Sequence, residues 1–197
     1  MASKYNCILL FGAPGSGKGL QGKILNSIPG LFHCSMGDVF RSLDKNSELG
    51  KAFVQYSSVG KLVPDELTLK IWADFMEKQV NAGRFNPAED MVVFDGFPRT
   101  VDQAVTMQEQ VRILKILHLN CADQNILIKR IQGRALIEKR TDDAKTDVIR
   151  NRMEVYERET SPVLKQFLSN QVVTIDASLT PMEVLSCILQ VLVSLKK

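Results

Sequence analysis

Phe11-Gly-Ala-Pro-Gly-Ser-Gly-Lys-Gly-Leu-Gln21 follows directly on the apolar run Cys7-Ile-Leu-Leu-Phe11. That run reads as a buried parallel strand, because it is apolar throughout rather than alternating. Gly12 to Lys18 has the spacing of a phosphate loop: a glycine, four residues, a glycine and a lysine. A helix over residues 18–26 fits next. Such a loop bares successive backbone N–H groups at a helix N-terminus, where they bind phosphate oxygens. Gly15 and Gly17 let the backbone come close to a ligand. Lys18 brings a mobile point charge for β- and γ-phosphates. In the general motif a Ser or Thr follows the lysine and binds magnesium; here Gly19 and then Leu20 stand there.

Outward from this loop, short apolar strands alternate with helical patterns. Strands are expected at 32–35, 91–94, 113–119 and 172–175. In 66–80 the apolar residues Leu67, Ile71, Trp72, Phe75, Met76 and Val80 recur at helical spacing. Val184, Leu185, Ile188, Leu189, Leu192 and Leu195 do the same in 181–195, with Pro181 at a first turn. Five such strands separated by helices predict an α/β fold: a five-stranded parallel sheet with helices on both faces. Ligands then bind beyond the carboxyl ends of the strands. The stretch 35–64 has no strand of its own and reads as a small helical insertion. The polar stretch 135–142 reads as a mobile loop.

Composition narrows the class. A chain of 197 residues, 45% apolar and 24% charged, suits one globular domain spanning 1–197. A net charge of +3 gives no support to nucleic-acid binding. The longest apolar run has five residues, far short of a membrane span, and only six residues precede it, so neither a membrane span nor a signal peptide is expected. Cys7, Cys34, Cys121 and Cys187 form no CxxC pair, so no structural zinc is expected and buried thiols in a reducing cytoplasm are.

Phe94-Asp95-Gly-Phe-Pro-Arg99-Thr follows the third strand. An aspartate ending an apolar strand beside a phosphate loop has the Walker-B arrangement. Asp95 can hold magnesium through water, since Gly19 offers no hydroxyl. Arg41, Arg99, Arg130, Arg134, Arg140 and Arg152 recur where a phosphate site needs forked cations. Arg150 and Arg158 read as surface residues. His33 and His118 adjoin apolar strand residues and read as satisfied strand histidines rather than catalytic ones. No Ser-His-Asp or Cys-His set stands out, which fits phosphoryl transfer, a chemistry of positioned cations and excluded water.

Taken in order, these segments resemble the nucleoside monophosphate kinases, and within them the short-lid adenylate kinases. The resemblance covers residues 7–192. Its carriers are Gly12-Ala-Pro-Gly-Ser-Gly-Lys-Gly, His33-Cys-Ser-Met-Gly-Asp-Val-Phe-Arg41, Gly60-Lys-Leu-Val-Pro-Asp-Glu66, Asp95-Gly-Phe-Pro-Arg-Thr with Gln103-Ala104, and Arg130-Ile-Gln-Gly-Arg134 followed by Arg140-Thr-Asp-Asp143 and Arg150-Asn-Arg152. Glycine after the lysine is usual in that family. The resemblance implies reversible transfer of the γ-phosphoryl group of MgATP to AMP, giving two ADP, in a cytoplasmic monomer. It implies that Gly12, Ala13, Pro14, Gly15, Ser16, Gly17, Lys18, Gly19 and Leu20 bind ATP together with Arg130 and Arg134.

On the AMP side it implies Ser35, Met36, Phe40, Arg41, Leu62, Val63, Gly96, Arg99 and Gln103. Arg134, Arg140 and Arg152 would clamp the transferring group, and Asp142 and Asp143 would fasten the lid. Residues 35–64 would be the monophosphate-binding insertion and 133–143 the lid, too short and without the cysteines for zinc. Gln103 has a donor and an acceptor to match adenine. Leu20 replaces a threonine whose hydroxyl meets an ATP phosphate, and Met36 and Phe40 replace smaller residues near the AMP base. The alternatives are a UMP/CMP or other monophosphate kinase, and a catalytically impaired nucleotide-binding regulatory module.

Overall fold

The computed structural model describes residues 4–138 and 145–195. Arg140, Asp142 and Asp143 therefore lie outside the described residues. The chain runs β1 (Tyr5–Phe11), α1 (Lys18–Leu25), β2 (Leu31–Ser35), α2 (Met36–Arg41), α3 (Glu48–Ser57), α4 (Asp65–Asn81) and β3 (Met91–Asp95). It continues through α5 (Val101–Met107), β4 (Val111–Asn120), α6 (Gln124–Ile137), α7 (Thr146–Val155), β5 (Val172–Asp176) and α8 (Pro181–Ser194). A π turn at Tyr156–Thr160 and 3-10 turns at Ser161–Gln166 and Ser169–Gln171 join α7 to β5. All five expected strands form one parallel sheet in the order β2-β3-β1-β4-β5.

β1 sits at the centre because it has no polar face. Cys7, Leu9 and Phe11 point to one side and Ile8 and Leu10 to the other, all buried. The first side packs on α2, α4 and α5 through Val39, Ile71, Trp72, Met76 and Met107. The second packs on α1 and α8 through Leu25, Val184, Ile188 and Leu192. Most of the two apolar stripes read from the sequence thus forms the inner faces of α4 and α8, but Val80, at the end of α4, is exposed rather than packed. A third cluster, with Leu127, Ile131, Ile149 and Met153, joins α6 to α7.

β4 begins two residues before its apolar run. Tyr5 of β1 pairs with Val111 and Asn6 with Arg112, since backbone ladder pairing does not depend on the polarity of the side chain. The polar stretch 135–142 is corrected in part. Ala135, Leu136 and Ile137 complete the last turn of α6, where good helix formers extend an existing helix. At the other end of the chain Thr180 caps α8. Its hydroxyl accepts from the Glu183 N–H and the Glu183 carboxylate accepts from the Thr180 N–H (2.9 Å), with Pro181 in the first turn.

The chain leaves β1 toward β2 on one side and reaches β4 on the other, so the order reverses beside β1. Parallel sheets open a crevice at such a point, beyond the strand ends. The residues after β1 and β3 meet there.

Candidate active site

A cavity of about 670 Å³ fills that crevice. Its floor is the loop after β1. Gly15 has φ +83, and a Cβ there would lie 2.6 Å from the Leu127 carbonyl oxygen, so only glycine fits. Gly17 has φ +97 and caps α1, with open space where a side chain would be. Lys18 folds back into this loop. Its Nζ donates to the carbonyls of Gly12 (2.7 Å) and Ala13 (2.9 Å) and to Ser16 Oγ (3.3 Å). Burial lowers the Lys18 pKa to about 8; Asp95 opposes that shift, while the charges of Arg99, Arg134 and Arg152 add to it. Lys18 and those three arginines thus share one electrostatic site.

Asp95 ends β3 and is 8% exposed. Burial alone would raise its pKa, but His33, Lys18 and Arg99 outweigh that and hold the carboxyl below its ordinary value, so it is ionised. A Cβ on Gly19 would stand 3.4 Å from Asp95 Oδ2, so glycine keeps the face of the carboxylate clear. His33 differs from its expectation as a satisfied histidine. Its Nε2 is buried without a hydrogen bond and lies 3.8 Å from Asp95 Oδ2, too long for a hydrogen bond but within ion-pair distance, so it acts on that carboxylate electrostatically. The close packing of Gly22 against the ring holds it there. His118 is a half-buried strand histidine edge-on to Phe11, and burial first, then the Lys18 charge, lowers its pKa.

The loop after β3 forms the second wall. Arg99 Nε donates to the Gly96 carbonyl (2.8 Å). Gln103, on α5 and 2% exposed, accepts from the Arg99 N–H (2.8 Å) and donates to Asp65 Oδ1 (2.6 Å). The other Asp65 oxygen accepts from the Thr100 hydroxyl (2.6 Å), and Thr100 in turn caps α5. On α2, Arg41 pairs with Asp38 at 2.6 Å. Phe40 stacks on Phe53 of α3 with ring centroids 5.3 Å apart, and both rings line the cavity near Leu62 and Val63.

Arg130, on α6, donates to the carbonyls of Ala177, Ser178 and Leu179. Its guanidinium therefore braces the β5–α8 turn, where Leu179, Pro181 and Val184 also face the cavity. Arg134 and Arg152 line the same space. Cations outnumber carboxylates on its wall, which suits a polyphosphate. Arg150 is exposed and off that wall, and Arg158 is exposed and paired with Glu159.

Most residues expected at the site meet here. On the loop side Gly12, Pro14, Gly15, Ser16, Gly17, Lys18, Gly19 and Leu20 reach the cavity; on the other side Ser35, Phe40, Arg41, Leu62, Val63, Gly96, Arg99 and Gln103 do. Two do not. Ala13 lines a separate cavity of about 200 Å³ behind the loop. Met36 is 1% exposed and packs into the core beside Cys34 and Val39, because an apolar side chain at the start of α2 gains more from burial than from a cavity wall. Burial likewise pushes the Cys7 and Cys34 thiols far above the usual range, which makes them packing residues.

Sequence reading missed Asp38, Phe53 and Tyr156, which also line the cavity. Asp38 was within reach, three residues before Arg41 on one helix. Phe53 and Tyr156 come from elements remote in sequence and left no local signal. Among the described residues no group of three His, Cys, Asp or Glu could hold a metal, and no helix is long and apolar enough to cross a membrane.

Comparison with known proteins gives one consistent result. A family model described as adenylate kinase matches residues 10–172. An adenylate kinase of Parabacteroides distasonis is 35% identical over 167 residues, 82% of this chain and 83% of that protein. One from Mycobacteroides abscessus is 38% identical over 176 residues, covering 86% and 90%. One from Kocuria rhizophila is 37% identical over 165 residues, covering 80% and 82%.

Proposed function

Because the chain belongs to the adenylate kinase family, we propose that it transfers the γ-phosphoryl group of MgATP reversibly to AMP, giving two ADP. The observation that carries this reading is one cavity lined on one side by the phosphate loop with Lys18, on another by Arg41, Arg99 and Gln103, and also by Arg134 and Arg152. One phosphate clamp would serve a binding protein; a second, facing it, serves transfer between two nucleotides.

ATP would lay its phosphates on the Gly12–Lys18 backbone, with Lys18 leaving the loop carbonyls for the β- and γ-phosphates. Its base would lie by Arg130 and Pro181. The AMP phosphate would meet Arg41 and Arg99, and its base would reach Gln103 between Leu62, Val63 and Phe40. An AMP phosphate oxygen attacks the γ-phosphorus in line as the bond to the β–γ bridging oxygen breaks. Arg99, Arg134, Arg152 and, by the family resemblance, Arg140 stabilise the charge spread over the transferring oxygens.

The 35–64 insertion and the 133–143 lid would close over the nucleotides and exclude water, which protects ATP from hydrolysis. Magnesium fits the residues present. Asp95 is one ionised oxygen donor with clear space before it, and a hard cation that keeps its water needs no more protein ligands than that. Bound there, it would neutralise charge on the β- and γ-phosphates. A monomer in a reducing cytoplasm suits a site built from one chain and four unpaired cysteines.

A coupled assay of the purified protein with magnesium, ATP and AMP tests this. ADP should form, and faster with AMP than with UMP or CMP. Arg99→Ala should remove at least about 99% of that activity, the scale of losing a charge-stabilising donor, with the circular dichroism spectrum and Tm retained. No turnover at micromolar enzyme would support the binding-module alternative, and equal rates with UMP would reject the base assignment.

A further inference from the structure

Gln103 faces the cavity with an amide that has only one possible sense. Its Nε2 donates to Asp65 Oδ1 at 2.6 Å, and its Oε1 accepts from the Arg99 N–H at 2.8 Å. A carboxylate only accepts and a backbone N–H only donates. Turning the amide over would set its oxygen against the Asp65 carboxylate and its NH2 against an N–H, losing both bonds. Asp65 is itself held, since its Oδ2 accepts from the Thr100 hydroxyl at 2.6 Å. That hydroxyl oxygen accepts from the Gln103 N–H at 3.2 Å and so closes a ring of contacts from the start of α4 to the start of α5.

An amide carries two N–H bonds and two lone pairs, so one of each remains for a ligand. Their order along the cavity wall is fixed. A purine with a 6-amino group offers a donor at position 6 and an acceptor at N1. A 6-oxo purine offers the reverse, an acceptor at position 6 and a donor at N1. A glutamine free to turn serves both; a locked one serves a single order. With its phosphate tethered at Arg41 and Arg99, a nucleotide cannot turn its base over to compensate.

The geometry points to Asp65 as the positioning residue that makes this site selective for 6-amino over 6-oxo purine monophosphates. This inference rests on the AMP-site reading given above. Asp65 does not touch the base; it sets what Gln103 can accept.

The test compares kcat/KM for AMP and for inosine monophosphate at saturating ATP in the wild type, Asp65→Leu and Asp65→Asn. In Asp65→Leu the AMP-to-IMP ratio should fall about tenfold, the scale of one misplaced polar contact. The change should lie in KM for the monophosphate, with KM for ATP unchanged. Asp65→Asn should keep the ratio within about twofold, because its amide oxygen still accepts from Gln103 while its NH2 donates to Thr100. If Asp65→Leu does not fold, Asp65→Ala removes the same acceptor and takes its place. An unchanged ratio in a folded Leu or Ala variant overturns the inference alone. So does a wild type equally active on both nucleotides. A wild type that phosphorylates neither overturns the AMP-site reading and the inference with it.

Discussion

Lys18 occupies two roles in one side chain. Its ammonium donates to the loop's own carbonyls, and burial has lowered its pKa to about 8. A triphosphate favours the charged form, so nucleotide binding raises that pKa. Below pH 8 the charge is already present and affinity is flat. Above it, binding must take up a proton, and ATP affinity should fall, approaching about tenfold per pH unit. Calorimetry at pH 9 in buffers of different ionisation enthalpy should register uptake of up to about one proton. A binding enthalpy independent of buffer would mean that Lys18 is already charged at that pH.

Leu20 gives a second prediction at this scale. It is 49% exposed on the cavity rim, so replacing it disturbs no packing. Leu20→Thr adds a hydroxyl where a phosphate passes, and a hydrogen bond to a charged group contributes about 1.5–3 kcal/mol. kcat/KM for ATP should rise about tenfold or more. An unchanged value would mean that the loop N–H groups and Ser16 already satisfy the phosphate.

Elements, more than single residues, were legible in the sequence. β1 and α1 announced themselves because an unbroken apolar run, a glycine-rich turn and a lysine are all local signals. α4 and α8 followed from the spacing of Ile71, Trp72 and Met76 and of Val184, Ile188 and Leu192, since a helix face repeats within a few residues. Arg41, Arg99, Arg130, Arg134 and Arg152, which line the cavity, were legible through motif order. What stayed hidden depends on which elements touch. Phe53 stacks on Phe40 from another helix, and Asp65 bonds to Thr100 and Gln103 from more than thirty positions away. Met36 failed for a related reason, because only packing decides whether the first residue of α2 faces the cavity or the core. At the end of α6, polar composition suggested a loop where the structure continues the helix through Ile137.

Across the whole molecule, the phosphate loop and the Arg41–Gln103 wall enclose one chamber rather than two pockets. A molecule that joins two adenosines by a phosphate chain should therefore engage both ends at once. At about a hundred times its Kd such a ligand stabilises the folded state by about 2.7 kcal/mol. For a chain of this length that raises Tm by about 5–10 °C. The same concentration of ATP or AMP alone should raise it less. Equal shifts from the linked compound and from ATP would mean that its second adenosine finds no site.

β1 has core on both sides, with Cys7, Leu9 and Phe11 serving one and Ile8 and Leu10 the other. Each of these five positions is buried and committed, so an exchange at any of them opens a void or a clash in one half of the protein. Leu20, nine residues beyond the strand, has no such neighbours to satisfy. The scaffold under the nucleotide is thus closed to drift while the rim above it stays open. A lineage carrying this fold could retune how its phosphate loop grips a ligand, one residue at a time, without first having to rebuild the floor on which that loop stands.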